Sequence, residues 1–187
     1  MTDPAPEPPV LQTDRLFLRR FILADAPEVA RHCGNREVAA TTLNIPHPYS
    51  EGDAESWILS QKKTREDGTG VDLAVTNWTG DLVGSMGLVI DPRHGIAELG
   101  YWIGADHWNR GYATEAGRAV LTYAFGPLGL RRVHAFHFSR NAASGRVLEK
   151  LGMTREGLWR KHIMKWGVPE DLVGWGILAE EHGFAQE

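Results

Sequence analysis

Apolar and polar positions along this chain change period several times, and each change marks an element. From residue 15 to 21, Leu16, Leu18 and Arg20 alternate with Phe17, Arg19 and Phe21, the period of two that predicts a first strand. Asp25 and Pro27 open a short helix that reaches His32 and closes near Gly34. Residues 35–49 carry neither period. Pro46 and Pro48 exclude a regular helix or a central strand at the end of that stretch, which therefore reads as irregular. Ser50-Glu51-Gly52-Asp53 has the form of a capping box and opens a helix to about Glu66. Three strands follow, at 71–76, 82–90 and 96–103, linked by turn-like runs at 77–81 and 91–95. Links this short predict an antiparallel meander.

Beyond the meander, Ala116, Val120, Tyr123 and Ala124 form an apolar stripe on a helix spanning 114–125, which Gly126-Pro127 stops. Residues 131–138 are strand-like, 141–151 helical up to Gly152, and strand-like stretches at 158–166 and 171–179 surround the turn Gly167-Val168-Pro169. Four prolines and few large apolar groups make residues 1–12 a disordered lead-in, leaving one domain over 13–182. The order of elements predicts an α/β fold, a mixed sheet with helices on its faces.

Composition narrows the function classes. A net charge of −4 and a pI near 6.1 exclude a general nucleic-acid binder, which needs a basic face, and leave room for a cationic substrate. Cys33, the one cysteine, rules out an internal disulfide and a cysteine-built zinc site, and agrees with a reducing compartment. The start of the chain lacks the basic and apolar runs of a secretion signal, and no apolar stretch has membrane-spanning length. A cytoplasmic protein with no membrane partner is expected. Among the eight histidines, His134 and His137 lie three apart on a strand and point to opposite faces, so no metal site is expected.

The chemistry concentrates at 97–115. A strand containing Glu98, Tyr101, Trp102 and Ile103 leads into Trp108-Asn109-Arg110-Gly111-Tyr112-Ala113-Thr114-Glu115, where a helix begins at once. Free backbone N–H groups and the helix dipole make such a start suited to a pyrophosphate. Gly111 would allow close approach, Ala113 would keep the rim low, and Arg110 would add charge. The same residues also describe an ordinary connecting loop with a needed glycine. The Gly-Lys-Ser/Thr ending of a Walker loop is absent.

Trp108 to Ala116 resembles the coenzyme A loop of the GNAT acetyltransferase superfamily, and the whole chain is similar to its ribosomal-protein alanine N-acetyltransferase (RimJ/RimL-like) branch. Thr13-Asp14-Arg15-Leu16 with Leu18-Arg19 is similar to the opening strand of that branch. Asn141-Ala142-Ala143-Ser144 with Val147 to Met153 is similar to its later helix, and residues 157–178, with Arg160-Lys161 and Asp171, to its terminal hairpin. The likeness spans roughly residues 11–180. It implies a single-domain, mostly antiparallel, splayed sheet that binds acetyl-CoA and passes the acetyl group directly to an amine, without a metal. A protein N-terminus is favoured as acceptor over a small-molecule amine such as an antibiotic, polyamine or amino acid. A non-catalytic acyl-CoA sensor is the other alternative, and a homodimer is compatible with the resemblance.

The same resemblance assigns roles. The thioester would lie between the strands at 96–103 and 131–138, contacting Trp102 and Ile103, whose neighbouring N–H would polarise its carbonyl. Trp108, Asn109, Arg110, Gly111, Tyr112, Ala113 and Thr114 would hold the pyrophosphate, and Asn141 the pantetheine arm. Glu98 is the candidate base, through a water, with an ion pair or a solvent-facing charge as its plain alternative. Ser144 is the candidate acid, alternatively a helix-start hydrogen bond. His47, Tyr49, Trp57 and Tyr101 are expected at the acceptor, although Trp57 also fits simple packing. Two positions depart from superfamily patterns: Trp108 replaces a Gln or Arg, and Leu148 replaces the tyrosine acid of other branches, leaving that role to Ser144 or solvent. Cys33 lies outside these motifs and reads as a small buried residue.

Overall fold

The computed structural model describes residues 10–183. Its strands are β1 (Leu11–Gln12), β2 (Leu16–Arg20), β3 (Gly70–Asn77), β4 (Leu82–Asp91), β5 (Ile96–Ile103), β6 (Arg132–Phe138), β7 (Thr154–Lys165) and β8 (Val168–Leu178). The helices are α1 (Ala26–Cys33), α2 (Arg36–Thr41), α3 (Glu51–Glu66), α4 (Tyr112–Phe125) and α5 (Ala142–Lys150). All eight strands form one sheet in the order β1-β2-β3-β4-β5-β6-β8-β7. Every neighbouring pair is antiparallel except β5–β6, which is parallel. Among the described residues no helix is long and apolar enough to cross a membrane.

Strand alternation sorts the core onto two faces. On one, Leu73 and Val75 of β3 and Leu99 and Ile103 of β5 pack against Ala116, Val120 and Leu121 of α4 and Leu148 of α5. On the other, Ala74 and Trp102 meet Val29 of α1, Val38 of α2, and Ala54 and Ile58 of α3. The alternation is local, but its result is global: neighbouring residues of one strand belong to different layers.

Three expectations need correction. Leu11–Gln12, placed by the sequence in a disordered lead-in, pairs with β2 through Leu11↔Leu18 and Gln12↔Phe17. Residues 1–9 of that lead-in lie outside the described residues. The stretch 35–49 is not irregular throughout, because Asn35 accepts a hydrogen bond from the Glu37 N–H and caps α2, whose Val38 and Ala39 are buried. The last hairpin turns at Trp166-Gly167, both with positive φ (50° and 79°) as a tight two-residue turn requires. Val168 and Pro169 already pair with Lys165 and Met164.

Candidate active site

The site begins where the sheet stops being continuous. β5 and β6 pair only over Ile96↔Arg132, Ala97↔Val133 and Glu98↔His134. Beyond that rung β5 stays bonded to β4 as far as Ile103, while β6 stays bonded to β8 as far as Phe138. A wedge-shaped gap opens between them, and a cleft of about 970 Å³ passes through it, with Gly100, Tyr101, Ile103, Phe136, His137 and Ser144 among its walls. The N–H of Gly104 bonds Val83 O on β4 (2.9 Å). Since an antiparallel ladder alternates its bonding direction, the Ile103 N–H lies on the opposite edge and faces the gap. Ile103 O is separately capped by the Trp108 indole N–H, which donates to it at 2.7 Å.

One end of the cleft is the start of α4. Gly111, at φ 80°, is its N-cap and supplies no side-chain cap, so the first N–H groups of the helix remain open to a ligand. Asn109 also has positive φ (60°). Glu115 fixes this turn: it accepts from Thr13 Oγ1 (2.6 Å), the Arg15 N–H (2.9 Å) and Arg15 Nε (2.7 Å), while Arg15 Nη1 donates to Arg110 O (3.0 Å). Burial pushes the Glu115 carboxyl up, but the Thr13 and Arg15 hydrogen bonds outweigh it and hold the group below the usual carboxylate range. The Thr-Asp-Arg opening and the Asn-Arg-Gly-Tyr-Ala-Thr-Glu loop, about a hundred residues apart, are thus one structural unit. Arg146 and Lys150 of α5 also line the cleft and add positive charge to it.

The two faces of the gap carry different chemistry. On the α4/α5 face, Tyr101 Oη and Ser144 Oγ share a hydrogen bond of 2.7 Å, and Asn141 Oδ1 accepts from the Ser144 N–H (3.2 Å). Burial raises the Tyr101 phenol to about 12, so it stays protonated. On the other face Glu98, its side chain 49% exposed, sits at the last paired rung with its carboxylate 3.8 Å from His134 Nε2. Burial lowers the His134 pKa more than Glu98 raises it, so the imidazole is neutral at pH 7.

Several residues stand elsewhere than the sequence reading placed them. Tyr101 is not with Trp57 and Tyr49 but against Ser144, because odd-numbered residues of β5 face α4 and α5. Trp102 turns its ring to the opposite layer, 5.9 Å from His32, which leaves the α4/α5 side of β5 to Tyr101 and Ile103. His47 is exposed and lies 5.8 Å from Trp166, outside the cleft. The Arg110 side chain also lies outside it, although Trp108, Asn109, Gly111, Tyr112, Ala113 and Thr114 line it. Tyr49 and Trp57 do line the far end, where Trp57 also packs edge-on against Phe21 at 4.9 Å. Backbone between Ala40 and Ile45 is pinned there: Lys165 Nζ donates to Leu43 O (3.2 Å) and Ile45 O (2.9 Å), and Arg140 to Ala40 O (2.8 Å). The sequence reading passed over Lys165, Arg140 and Asp72, the last of which also faces this end.

A family model described as an acetyltransferase (GNAT) domain matches residues 15–154, which include the whole gap and the α4 start. The chain belongs to the GNAT acetyltransferase family. It is accordingly an acetyl-CoA-dependent N-acetyltransferase. The uncharacterized N-acetyltransferase YoaA of Bacillus subtilis (strain 168) is 33% identical over 172 residues, 91% of this chain and 97% of that protein. A GNAT-family acetyltransferase from Bacillus anthracis superposes with a TM-score of 0.81 at 26% identity, covering 92% of this chain and 99% of the other. RimL, a ribosomal L7/L12 α-N-protein acetyltransferase solved with coenzyme A, shares the fold: TM-score 0.84 at 16% identity, over 91% of this chain and 98% of RimL. The uncapped α4 start, the left-handed Gly111 and the free edge of β5 fit acetyl-CoA as the co-substrate of this GNAT domain.

Proposed function

We propose that this GNAT enzyme acetylates a protein N-terminal α-amine, with the coenzyme and the acceptor meeting in the β5–β6 gap from opposite faces. The observation that carries the reading is the separation of groups at that gap, Glu98 on one face and the Tyr101–Ser144 pair on the other. Acetyl-CoA, when bound, supplies the acetyl group and a thiolate leaving group. The Ile103 N–H is directed to stabilise negative charge developing on the thioester oxygen. Glu98, open to solvent and beside a neutral histidine, takes the proton from the incoming ammonium, directly or through water. The Tyr101 and Ser144 hydroxyls form a relay that can return a proton to the departing sulfur. This fills the role that Leu148, fully buried in the core, does not. Thr114 and Asn141 contribute to coenzyme binding beside Gly111 and Ser144.

The preference for a protein α-amine is supported by the RimJ/RimL-like motifs and by the fold shared with RimL. The test is a competition. The enzyme and acetyl-CoA are incubated with an equimolar pool of peptides differing in their first two residues, together with small diamines and amino acids, and products are read by mass spectrometry. N-terminally acetylated peptides are expected to dominate, with lysine side chains untouched. Acetylation confined to the small amines would overturn the α-amine reading and leave the enzyme a small-molecule acetyltransferase.

A further inference from the structure

Asp72 has no use in the coenzyme site and, among the described residues, no partner. Among the described residues three carboxylates line the cleft. Asp53 accepts from the Ser50 N–H (2.8 Å) and hydroxyl (2.6 Å), and Glu98 faces His134, whereas Asp72 has neither a hydrogen bond nor an ion pair among the described residues. A carboxylate half-buried in the middle of a sheet and left without a protein partner is costly, and a cationic ligand would offset that cost.

Its orientation is fixed by what lies beside it. Asp72 on β3, Gly87 on β4 and Gly100 on β5 form one register row across three strands. A Cβ on Gly87 would overlap Asp72 Oδ1, so the carboxylate leans over β4 toward β5, and Gly87 is what lets it do so. A Cβ on Gly100 would meet nothing within 4 Å, so the next position in the row is open space. The row therefore forms a bare floor leading from the β5 edge, where acetyl transfer takes place, to a carboxylate about two strand spacings away, roughly 9–10 Å. Ser85 and Trp102 belong to the neighbouring row on the same face, and Trp57 reaches the cleft from α3.

We propose that Asp72 is the specificity residue of this acetyltransferase, binding a second cationic group on the acceptor, so that the substrate carries a positive charge besides the nitrogen that is acetylated. The inference rests on acceptor entry from the α1–α3 face, as set out above. The charge can come from a basic side chain near a peptide N-terminus or from the far end of a small diamine, since ammonium and guanidinium groups satisfy a lone carboxylate in the same way. Asp72 does no proton transfer in this scheme: Glu98 is nearer the gap, and Asp72 acts through binding alone.

The experiment compares matched acceptors that differ only in the second charge. One arm uses peptide amides beginning Ala-Lys and Ala-norleucine, the other 1,5-diaminopentane and n-pentylamine. For each, kcat and KM are measured by thiol release with the wild type and with Asp72→Asn, which keeps the shape and removes the charge. The wild type is expected to show a KM about ten- to hundredfold lower for the dicationic member of at least one arm, the usual weight of a charged hydrogen bond. Whichever arm responds identifies the source of the charge. Asp72→Asn should erase that difference by raising the dication KM, with kcat at saturation and the acetyl-CoA Kd unchanged. No charge preference in the wild type, or an equal fall in kcat for both members with Asp72→Asn, would overturn the inference, the second result making Asp72 part of the proton path. Acetyl-CoA binding without acetylation of any amine would overturn the acceptor reading itself and this inference with it.

Discussion

Glu98 and His134 face each other across the last rung before β5 and β6 part, so the candidate base is held by a paired backbone rather than by a loop. Glu98→Gln should lower kcat by about 10²–10⁴-fold near neutral pH, the usual range for general catalysis, with little change in acetyl-CoA affinity. A variant with a wild-type pH–rate profile would return Glu98 to a structural role. Asp72 makes a separate prediction about stability. Burial raises its pKa to about 6, well above the ordinary carboxylate value, so the folded state holds that proton more tightly than the unfolded chain. The stabilising effect of the proton is complete below about pH 4 and is lost as pH rises through about 6. Asp72→Asn should thus raise the melting temperature at pH 7.5, by an amount worth on the order of 1–3 kcal/mol, and give no gain near pH 4. Equal melting temperatures at both pH values would show that the carboxylate is not desolvated. That Glu98 and Ser144 line the cleft was legible in the sequence because each sits in a recognisable motif. Asp72 belongs to none, and its one local signal was a lone charge within Val71-Asp72-Leu73-Ala74-Val75, whose meaning depends on Gly87 and Gly100 of other strands.

Elements with their own caps and periods were legible: α3 with the Ser50–Asp53 capping box, the β3–β4–β5 meander, and α5 under Asn141. Helix α2 was not, because six residues are too few for an apolar stripe, and its formation relies on the Asn35 cap and on burial of Val38. The loop after it could be recognised from its prolines, but not its anchors. Lys165, only 5% exposed, holds two of its carbonyls from β7, and burial together with Arg140 lowers the lysine pKa. At the other end of the cleft the α4 turn depends on backbone geometry that its motif does encode. Gly111→Val forces a β-branched residue to φ 80° and sets a side chain over the uncapped helix start. It should cost about 1–2 kcal/mol of stability and reduce acetyl-CoA affinity severely. Gly111→Asn, whose side chain tolerates that backbone, should recover most of the stability but not the affinity. Calorimetric titration and thermal unfolding read the two effects separately, and full coenzyme affinity in either folded variant would place the phosphates elsewhere.

At the scale of the whole molecule the sheet is a partition with one opening. Helices α4 and α5 cover one face, α1, α2 and α3 the other, and the β5–β6 gap is where the two sides communicate. Period-two alternation could assign Glu98 and Tyr101 to different faces from the sequence. Which helices cover each face depends on packing between distant segments, so the contact of Tyr101 with Ser144 of α5 is not legible in the β5 sequence alone. The most direct test is amide hydrogen exchange, comparing the free enzyme with the enzyme saturated by acetyl-CoA. The account predicts slower exchange at the gap-facing edge of β5, around residues 101–103, and at the α4 start, residues 111–114, with residues 41–49 and β3 unchanged until an amine acceptor analogue is added. Protection by acetyl-CoA alone at residues 41–49 and β3, with none at the α4 start, would contradict it.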